Sequence, residues 1–302
     1  MMKKIGLVTV LFNSNEVLPD FFKSLSIQTF KNFVLILIDN TPSELSEGIV
    51  TELAEKYKIE FEYRQMSSNI GIAAGNNEGI KLAKTVGCGD IIILNNDICF
   101  DSPSFFESLI NLSLESEKVI IAPKIYFYNS NILWYAGGTV INWKGTAYHF
   151  GHTKDTPQLN ISTFTNYAPT CFLYVKEEVF EKVGLMDEKY FVYVDDVDFI
   201  FRAKYYGFKV WYAADLSLFH KVSSSTGGTE SEFGLRFNTR NKIYFIRKFL
   251  SFPYNITAPI FTIVAALYFG NKAGRKSIFS IVFKAMFEGY RMQIDNRMQI
   301  KM

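Results

Sequence analysis

Cysteine is scarce in this chain of 302 residues. Cys88, Cys99 and Cys171 are odd in number and match no metal-ligand spacing, which favours free thiols in a reducing compartment. A glycine-rich turn is missing after the first apolar run, which passes straight into "FNSNEV", and no P-loop pattern occurs anywhere. A dinucleotide-binding unit needs that turn for its pyrophosphate, so the sequence argues against a dehydrogenase, a methyltransferase of that type or an ATPase. The opening "MMKKIGLVTVLFNSNE" has a short β-branched run and no small-residue cleavage site, the pattern of a first strand and not of a signal peptide. Neither an internal repeat nor a low-complexity block is present. Carboxylates almost disappear towards the end. Residues 236–302 hold 12 Lys and Arg against Glu288 and Asp295, a net of +10, while residues 1–235 hold 20 against 28, a net of −8. A basic tail on an acidic body suits an anionic partner, either nucleic acid or the cytoplasmic face of a membrane.

What is present is an ample apolar supply. Hydrophobic residues make up 48% and charged residues 21%, and 29 Phe with 17 Tyr predict a Phe-rich core. In the first hundred residues strands alternate with helices: "IGLVTVLF", "EVLPDFFKSLSIQT", "FVLILIDN", "SELSEGIVTELAEKYK" with a Ser cap, "EFEYRQ", "AAGNNEGIKLAKTVG" and "DIIILNND". That alternation predicts a mostly parallel sheet covered on both faces, with ligands beyond the carboxyl ends of its strands. Asp39 and Asn40 end one strand, and Asn95, Asn96 and Asp97 end another, so these ends should share one crevice. Later segments are less regular: a helix near 103–116, strands in "VIIAPKIYFY" and "CFLYVKEEVF", a loop over 221–232, and a basic helix containing "RFNTRNKIYFIRKFL".

Three stretches carry chemistry. "SSNIGIAAGNNEGI" places three Gly and three Asn at a loop-to-helix junction, either a backbone-lined pocket for a nucleotide or a capped connector. "ILNNDICF" ends an apolar strand in two amides and Asp97, which can reach a divalent cation carrying phosphates or simply form a turn. "YFVYVDDVDFIFRAKYYGF" sets Asp195, Asp196 and Asp198 among aromatics, although a carboxylate near apolar surface is costly unless paired. Asp195 or Asp196 could cap the helix closed by Gly207, and Asp198 could pair with Arg202 at i,i+4. That accounts for two aspartates. The third, Asp196, is placed for a general base.

Taken in order, "VTVLFNS", "LIDN", "NIGIAAGNNEGI", "LNND", "WYAGG", "VGLMDEKYFVYVDDVDFIFRAKYYG", His220 and "RN" at 240–241 resemble a family 2 glycosyltransferase, in particular its rhamnosyltransferase-like branch. The resemblance covers residues 4–245 and implies a GT-A fold, an α/β architecture with a mostly parallel Rossmann-like sheet, flanking helices and here a C-terminal helical tail. It implies an inverting enzyme that moves a sugar, rhamnose or another hexose, from a dTDP- or UDP-linked donor to an acceptor hydroxyl. Asp196 then matches the catalytic base, with Asp195 beside it where the family usually has Glu. Asp39 matches the base-binding acid, with Asn13, Asn40, Asn69, Gly71, Gly75, Asn76, Asn77 and Asn96 as further donor contacts. Asp97 and His220 match the ligands of a divalent metal, Mg2+ or Mn2+, although Asn-Asn-Asp leaves a single carboxylate in the metal motif. Trp134, Gly137, Gly138 and Tyr193 fall on the acceptor side.

The expected organisation is a catalytic domain over 1–235, with a nucleotide-binding half to residue 100, and a basic, partly apolar helical tail over 236–302. The tail contains an uncharged run from Phe249 to Gly270, interrupted by Pro253 and Pro259. Broken helices lying on the inner leaflet fit this run better than a membrane span, with a helical bundle packed on the catalytic domain as the alternative. The expected partners are therefore a nucleotide sugar, a glycan or lipid-linked glycan acceptor in surface polysaccharide synthesis, and a membrane surface, in a cytoplasmic protein bound peripherally to the inner face. A sugar-nucleotide pyrophosphorylase would need a Gly-rich, Arg-containing loop where "LFNSNEV" stands. A nucleic-acid-binding protein would need a recognised module that the tail lacks, so nucleic acid is not an expected partner.

Overall fold

The computed structural model describes residues 3–42, 46–222, 231–272 and 277–295. Its first half contains β1 (Lys4–Leu11), α1 (Leu18–Ser26), β2 (Phe33–Asp39), α2 (Glu47–Tyr57), β3 (Phe61–Gln65), α3 (Ile72–Thr85) and β4 (Cys88–Leu94). These four strands are parallel in the order β3-β2-β1-β4. Every residue of β2 is buried, as expected for a strand covered on both faces. Close approach of α3 to β1 depends on two glycines one turn apart. A Cβ on Gly79 would lie 2.3 Å from Val8 Cγ1, and one on Gly75 would lie 2.8 Å from Val10 Cγ2. The Ser cap predicted to open the second helix falls partly on residues 43–45, outside the described residues. Ser46 occupies the cap position without a capping hydrogen bond.

The second half adds β5 (Ile98–Cys99), α4 (Phe105–Ser113), β6 (Ile120–Phe127), β7 (Ile132–Tyr135), β8 (Gly138–Ile141), β9 (Thr146–His149), β10 (Thr153–Lys154), β11 (Thr163–Thr165), β12 (Phe172–Val175), α5 (Glu177–Val183), α6 (Asp195–Tyr205) and β13 (Val210–His220). β12 enters antiparallel between β4 and β6, extending the order to β10-β7-β6-β12-β4-β1-β2-β3. β13 runs parallel to β6, and its last residues pair antiparallel with β5, matching His220 to Ile98. β8 and β9 form a separate hairpin. Two expectations are corrected. "CFLYVKEEVF" is a strand only to Val175. Glu177 then starts a helix, its N–H bonded to Asp90 Oδ1 at 3.0 Å and its acids favourably placed in the first turn. Neither Asp195 nor Asp196 caps α6, because Val194 holds that position in the left-handed region at φ 69°.

The tail forms α7 (Glu232–Phe249), α8 (Tyr254–Lys272) and α9 (Ser277–Arg291). The expected boundary between residues 235 and 236 falls inside α7, whose inner face shares a core with Tyr167, Tyr190, Val197 and Phe201. Pro253 precedes α8, but the helix continues through Pro259, so the expected break there does not occur. α8 and α9 bury one side and expose the other. Ile256, Ile260, Val264 and Leu267 form an outward apolar stripe on α8, and Phe279, Phe283, Phe287 and Tyr290 form one on α9. Among the described residues no helix is long and apolar enough to cross a membrane.

Candidate active site

The parallel strands bring their carboxyl ends to one edge. Asn40 N–H bonds Leu11 O at 2.9 Å, and Asn96 Nδ2 reaches Val10 O at 3.1 Å and Ser14 Oγ at 3.2 Å, which gathers the ends of β1, β2 and β4. A cavity of about 190 Å³ opens there, lined by Asn13, Asn15, Glu16, Thr41 and Ser46. Asp39 stands behind it. Its carboxylate is fully buried and accepts from Thr41 N at 2.8 Å, Ser46 N at 3.2 Å and Tyr63 Oη at 2.7 Å, so it shapes the cavity wall through the loop it organises. Asn13, at φ 48°, donates its N–H to Thr41 Oγ1 at 3.0 Å. Asn15 was missed in the sequence, although it sits two residues from Asn13 in the same turn.

The Asn/Gly motif joins this crevice to the acid turn. Asn40 Nδ2 bonds Gly71 O at 3.0 Å, and Asn69 Oδ1 accepts from Gly71 N at 2.9 Å. Gly71 has φ 86°, and a Cβ there would lie 2.5 Å from Phe191 O. Asn77 is satisfied internally: its amide brackets the Met186 backbone at 2.9 and 3.0 Å and donates to Glu188 Oε1 at 2.9 Å. Asn76 Nδ2 lies 3.6 Å from Met186 Sδ. Gly75, Asn76 and Asn77 thus seat α3 and brace the loop over 186–191, where direct donor contacts were expected.

That loop is strained. Phe191, Tyr193 and Val194 all have positive φ, and for a β-branched residue this is a genuine outlier. Asn241 holds it from α7, with Nδ2 facing Tyr190 O, Val192 O and Tyr193 O at 2.6, 2.7 and 2.9 Å. The three aspartates that follow occupy three environments. Asp198 is fully buried and matched, receiving Arg202 Nε at 2.6 Å and Lys248 Nζ at 2.5 Å. Lys248 also bonds Asp187 at 2.7 Å, and Arg202 caps the carbonyls of Val183 and Leu185. Asp195 is buried, and among the described residues its Oδ2 has no hydrogen-bond partner. Burial, and then the charge of Asp196, push its pKa up to about 8. Asp196 is half-buried. Burial raises its pKa, but the Tyr167 hydroxyl at 2.5 Å from Oδ2 and the Val197 N–H at 2.7 Å from Oδ1 oppose that rise. Between the paired acids, Asp196 is the one built to carry the charge.

On the other side, His220 Nε2 lies 3.1 Å from Asp97 Oδ1, both side chains nearly buried. Burial works against protonation of His220, but Cys171 and Asp97 more than offset it and the imidazole is raised to about 10. Among the described residues no group of three or more His, Cys, Asp or Glu gathers around a common point. Asp97 and His220 would admit an ion that takes its remaining ligands from phosphate and displaces the imidazole proton, because two ligands about 2.1 Å from one ion and at right angles lie about 3.0 Å apart. A run of contacts connects this pair to Asp196. Trp134 packs edge-on against His220 at 4.7 Å and against His149 at 4.8 Å, and His149 stacks on Tyr167. Gly138 makes room for that tyrosine: a Cβ would lie 2.9 Å from Tyr167 Cδ1. Gly137, at φ 91°, turns the chain into the hairpin. Tyr167 and His149 carried no motif in the sequence. The loop over 223–230 lies outside the described residues. A larger open cavity of about 740 Å³, lined by Cys99, Asp101, Tyr128, Asn131 and Phe219 among others, contains none of the expected site residues.

Comparison with known proteins agrees with this architecture. A hexosyltransferase of low-salt glycan biosynthesis, Agl10 of Haloferax volcanii, is 21% identical over 252 residues, covering 80% of this chain and 75% of its own. The O-antigen biosynthesis protein RfbC of Myxococcus xanthus is 23% identical over 238 residues, covering 74% of this chain but only 18% of its own length. The mannosyltransferase PcManGT from Pyrobaculum calidifontis, solved with GDP-Man and Mn2+, superposes with a TM-score of 0.60 at 12% identity, covering 97% of this chain and 77% of that one. S. aureus TarS 1-349 in complex with UDP gives 0.54 at 12% identity, covering 97% and 76%. The fold is GT-A. The profile described as Glycosyl transferase family 2 matches residues 7–184, more than half of the chain, and the chain belongs to that family.

Proposed function

We propose that the chain is an inverting, metal-dependent hexosyltransferase with Asp196 as its base. The supporting observation is the contrast among three neighbouring aspartates: Asp198 is neutralised by Arg202 and Lys248, Asp195 is buried, and only Asp196 is both partly exposed and hydrogen-bonded so as to stay ionised. In this reading a dTDP- or UDP-linked rhamnose or other hexose lies with its nucleotide in the crevice of Asn13, Asn40 and Asn96 and its diphosphate towards Asp97 and His220. The acceptor oxygen bonds the anomeric carbon as the bond to the diphosphate breaks on the opposite face, and the acceptor proton passes to Asp196 Oδ. Tyr167 orients that carboxylate and opposes the rise that burial gives its pKa. Asp97 and His220 would hold a divalent cation, which would supply Lewis-acid stabilisation of the departing diphosphate. Trp134 and the β8–β9 hairpin line the acceptor side.

The acceptor in this reading is a lipid-linked glycan, and the α8–α9 face rests on an anionic bilayer. Support comes from the two outward apolar stripes and from the +10 charge of residues 236–302.

Incubation with a panel of nucleotide sugars tests the activity. Asp196→Asn is expected to keep donor binding while transfer falls by roughly two to four orders of magnitude, the scale of positioned acid–base catalysis. Near-normal transfer by Asp196→Asn, together with loss in Asp195→Asn, would reverse the two roles. Excess chelator should abolish transfer. Unchanged turnover in chelator would remove the metal from the mechanism.

A further inference from the structure

The turn of the β8–β9 hairpin is wedged against the tail. A Cβ on Gly145, at φ 62°, would lie 2.7 Å from Ile246 Cδ1 on α7 and 3.1 Å from Ala258 Cβ on α8, so the turn sits in the seam between the two helices. This fixes Lys144 and Trp143 over α8. Lys144 Nζ is 5.0 Å from the Trp143 ring centre and 5.3 Å from that of Phe261. Lys242 Nζ, arriving from α7, is 5.3 Å from the same Phe261 ring. Trp143 meets Phe261 edge-on at 5.2 Å and remains half exposed. Two ammonium groups therefore share one aromatic ring, and among the described residues neither pairs with a carboxylate. Burial and the charge of Lys144 pull the Lys242 pKa down to about 8. Like charges held this way repel unless an anion joins them.

We infer that Lys144 and Lys242, both beside the Phe261 ring and with Trp143 against it, form a binding site for the terminal phosphate of a membrane amphiphile. Two ammonium charges are best balanced by a group carrying close to two negative charges. A phosphomonoester or diphosphate does so at about −1.5 to −2, whereas a phosphodiester carries one. Lysines provide movable point charges for the phosphate oxygens. A half-exposed Trp beside lysines belongs at the boundary of water and hydrocarbon. Phe261 adjoins Ile260 of the outward stripe, so a headgroup held here would have its chains directed along the apolar face. The site rests on the reading that this face lies on a bilayer, and it would hold a lipid phosphate beside the acceptor hairpin.

The test is co-sedimentation of the full chain with three vesicle types. One is phosphatidylcholine alone, and the others add phosphatidate (a phosphomonoester) or phosphatidylserine at equal surface charge. Wild type should bind phosphatidate vesicles roughly thirtyfold more tightly than phosphatidylserine vesicles, the scale of about two favourably placed basic residues. Lys144→Gln with Lys242→Gln should erase that preference and keep the phosphatidylserine level, while Lys144→Arg with Lys242→Arg should retain it. A preference untouched by the glutamine pair overturns the site. Millimolar inorganic phosphate that removes the preference completely would identify free phosphate as the ligand and overturn the lipid assignment. If wild type bound no vesicle but took up soluble short-chain phosphatidate through these lysines, the bilayer reading would fail and the site would stand.

Discussion

α7 and the pair α8–α9 belong to the same basic tail and use it in opposite ways. In α7 the charge is inside: Lys248 is 0% exposed and reaches Asp187 and Asp198, while Asn241 and Tyr244 bond the same loop. In α9 the hydrocarbon is outside, with Phe283 at 61% exposure and no partner element covering it among the described residues. Burying an ammonium ion costs several kcal/mol unless well-placed anions offset it, which confines Lys248 to one arrangement. Exposed phenylalanines confine nothing and remain available for a second surface. A net charge of +10 therefore divides in two: cations that fasten the turn before α6, and cations that border an apolar face.

The sharpest way to break the comparison is to remove the inside charge. Lys248→Ala leaves Asp187 and Asp198 facing each other without their shared cation, and removing one partner of a buried pair typically costs about 3–5 kcal/mol. Chemical denaturation should show that loss. Burial alone would raise the Asp187 pKa, but Lys248 more than reverses this and holds it below the usual value. Its contribution is thus present above the unfolded pKa and lost as pH falls through the lower folded one. The acid limb of wild-type stability should flatten in Lys248→Ala. A variant as stable as wild type would mean that α7 is merely packed against the domain.

A smaller effect concerns an inner carboxyl without a matching cation among the described residues, Asp195. Asp195, at about 8, binds a proton in the folded state over a range in which the unfolded carboxyl has lost it. Folded protein then holds more protons than unfolded between about pH 4 and 8, so this group makes stability decline as pH rises through that window. Asp195→Asn mimics the protonated form and should remove the decline, gaining of order 1–3 kcal/mol at pH 8 relative to pH 5. Equal pH dependence in variant and wild type would show that Asp195 finds a partner for its charge.

The parallel half of the fold was legible because each of its elements announces itself locally. Strands such as "FVLILID" are continuous apolar runs, and "LID" and "LNND" mark where they stop. Asp198 with Arg202 was legible for the same reason, being one helical turn apart. Tyr167, His149 and Lys248 were not. Each meets the site only through the sheet order and the folding back of α7, and pairing at separations of 29 and 50 residues leaves no periodic trace. The Asn/Gly motif was visible, but its use was not. Nothing in "GIAAGNNEG" shows that Gly75 and Gly79 face Val10 and Val8, or that Asn77 is taken by Met186.

The least change in stability should come from the outside of the tail. Phe283→Ser with Phe287→Ser removes two rings that stand largely in water, at 61% and 54% exposure. Substitutions at such sites usually shift stability by no more than about 0.5 kcal/mol, so denaturation curves should nearly coincide with wild type. Binding to anionic vesicles should lose its salt-resistant part. Attraction to the surface is screened by salt while insertion of apolar side chains is not. The wild-type protein should therefore keep part of its vesicle binding at high salt, and the double variant should keep none. The pairing of the two results carries the argument. A drop of several kcal/mol in the variant would mean that these rings are covered in solution, by a second copy of the chain, and concentration-dependent sedimentation would then replace the bilayer with a dimer.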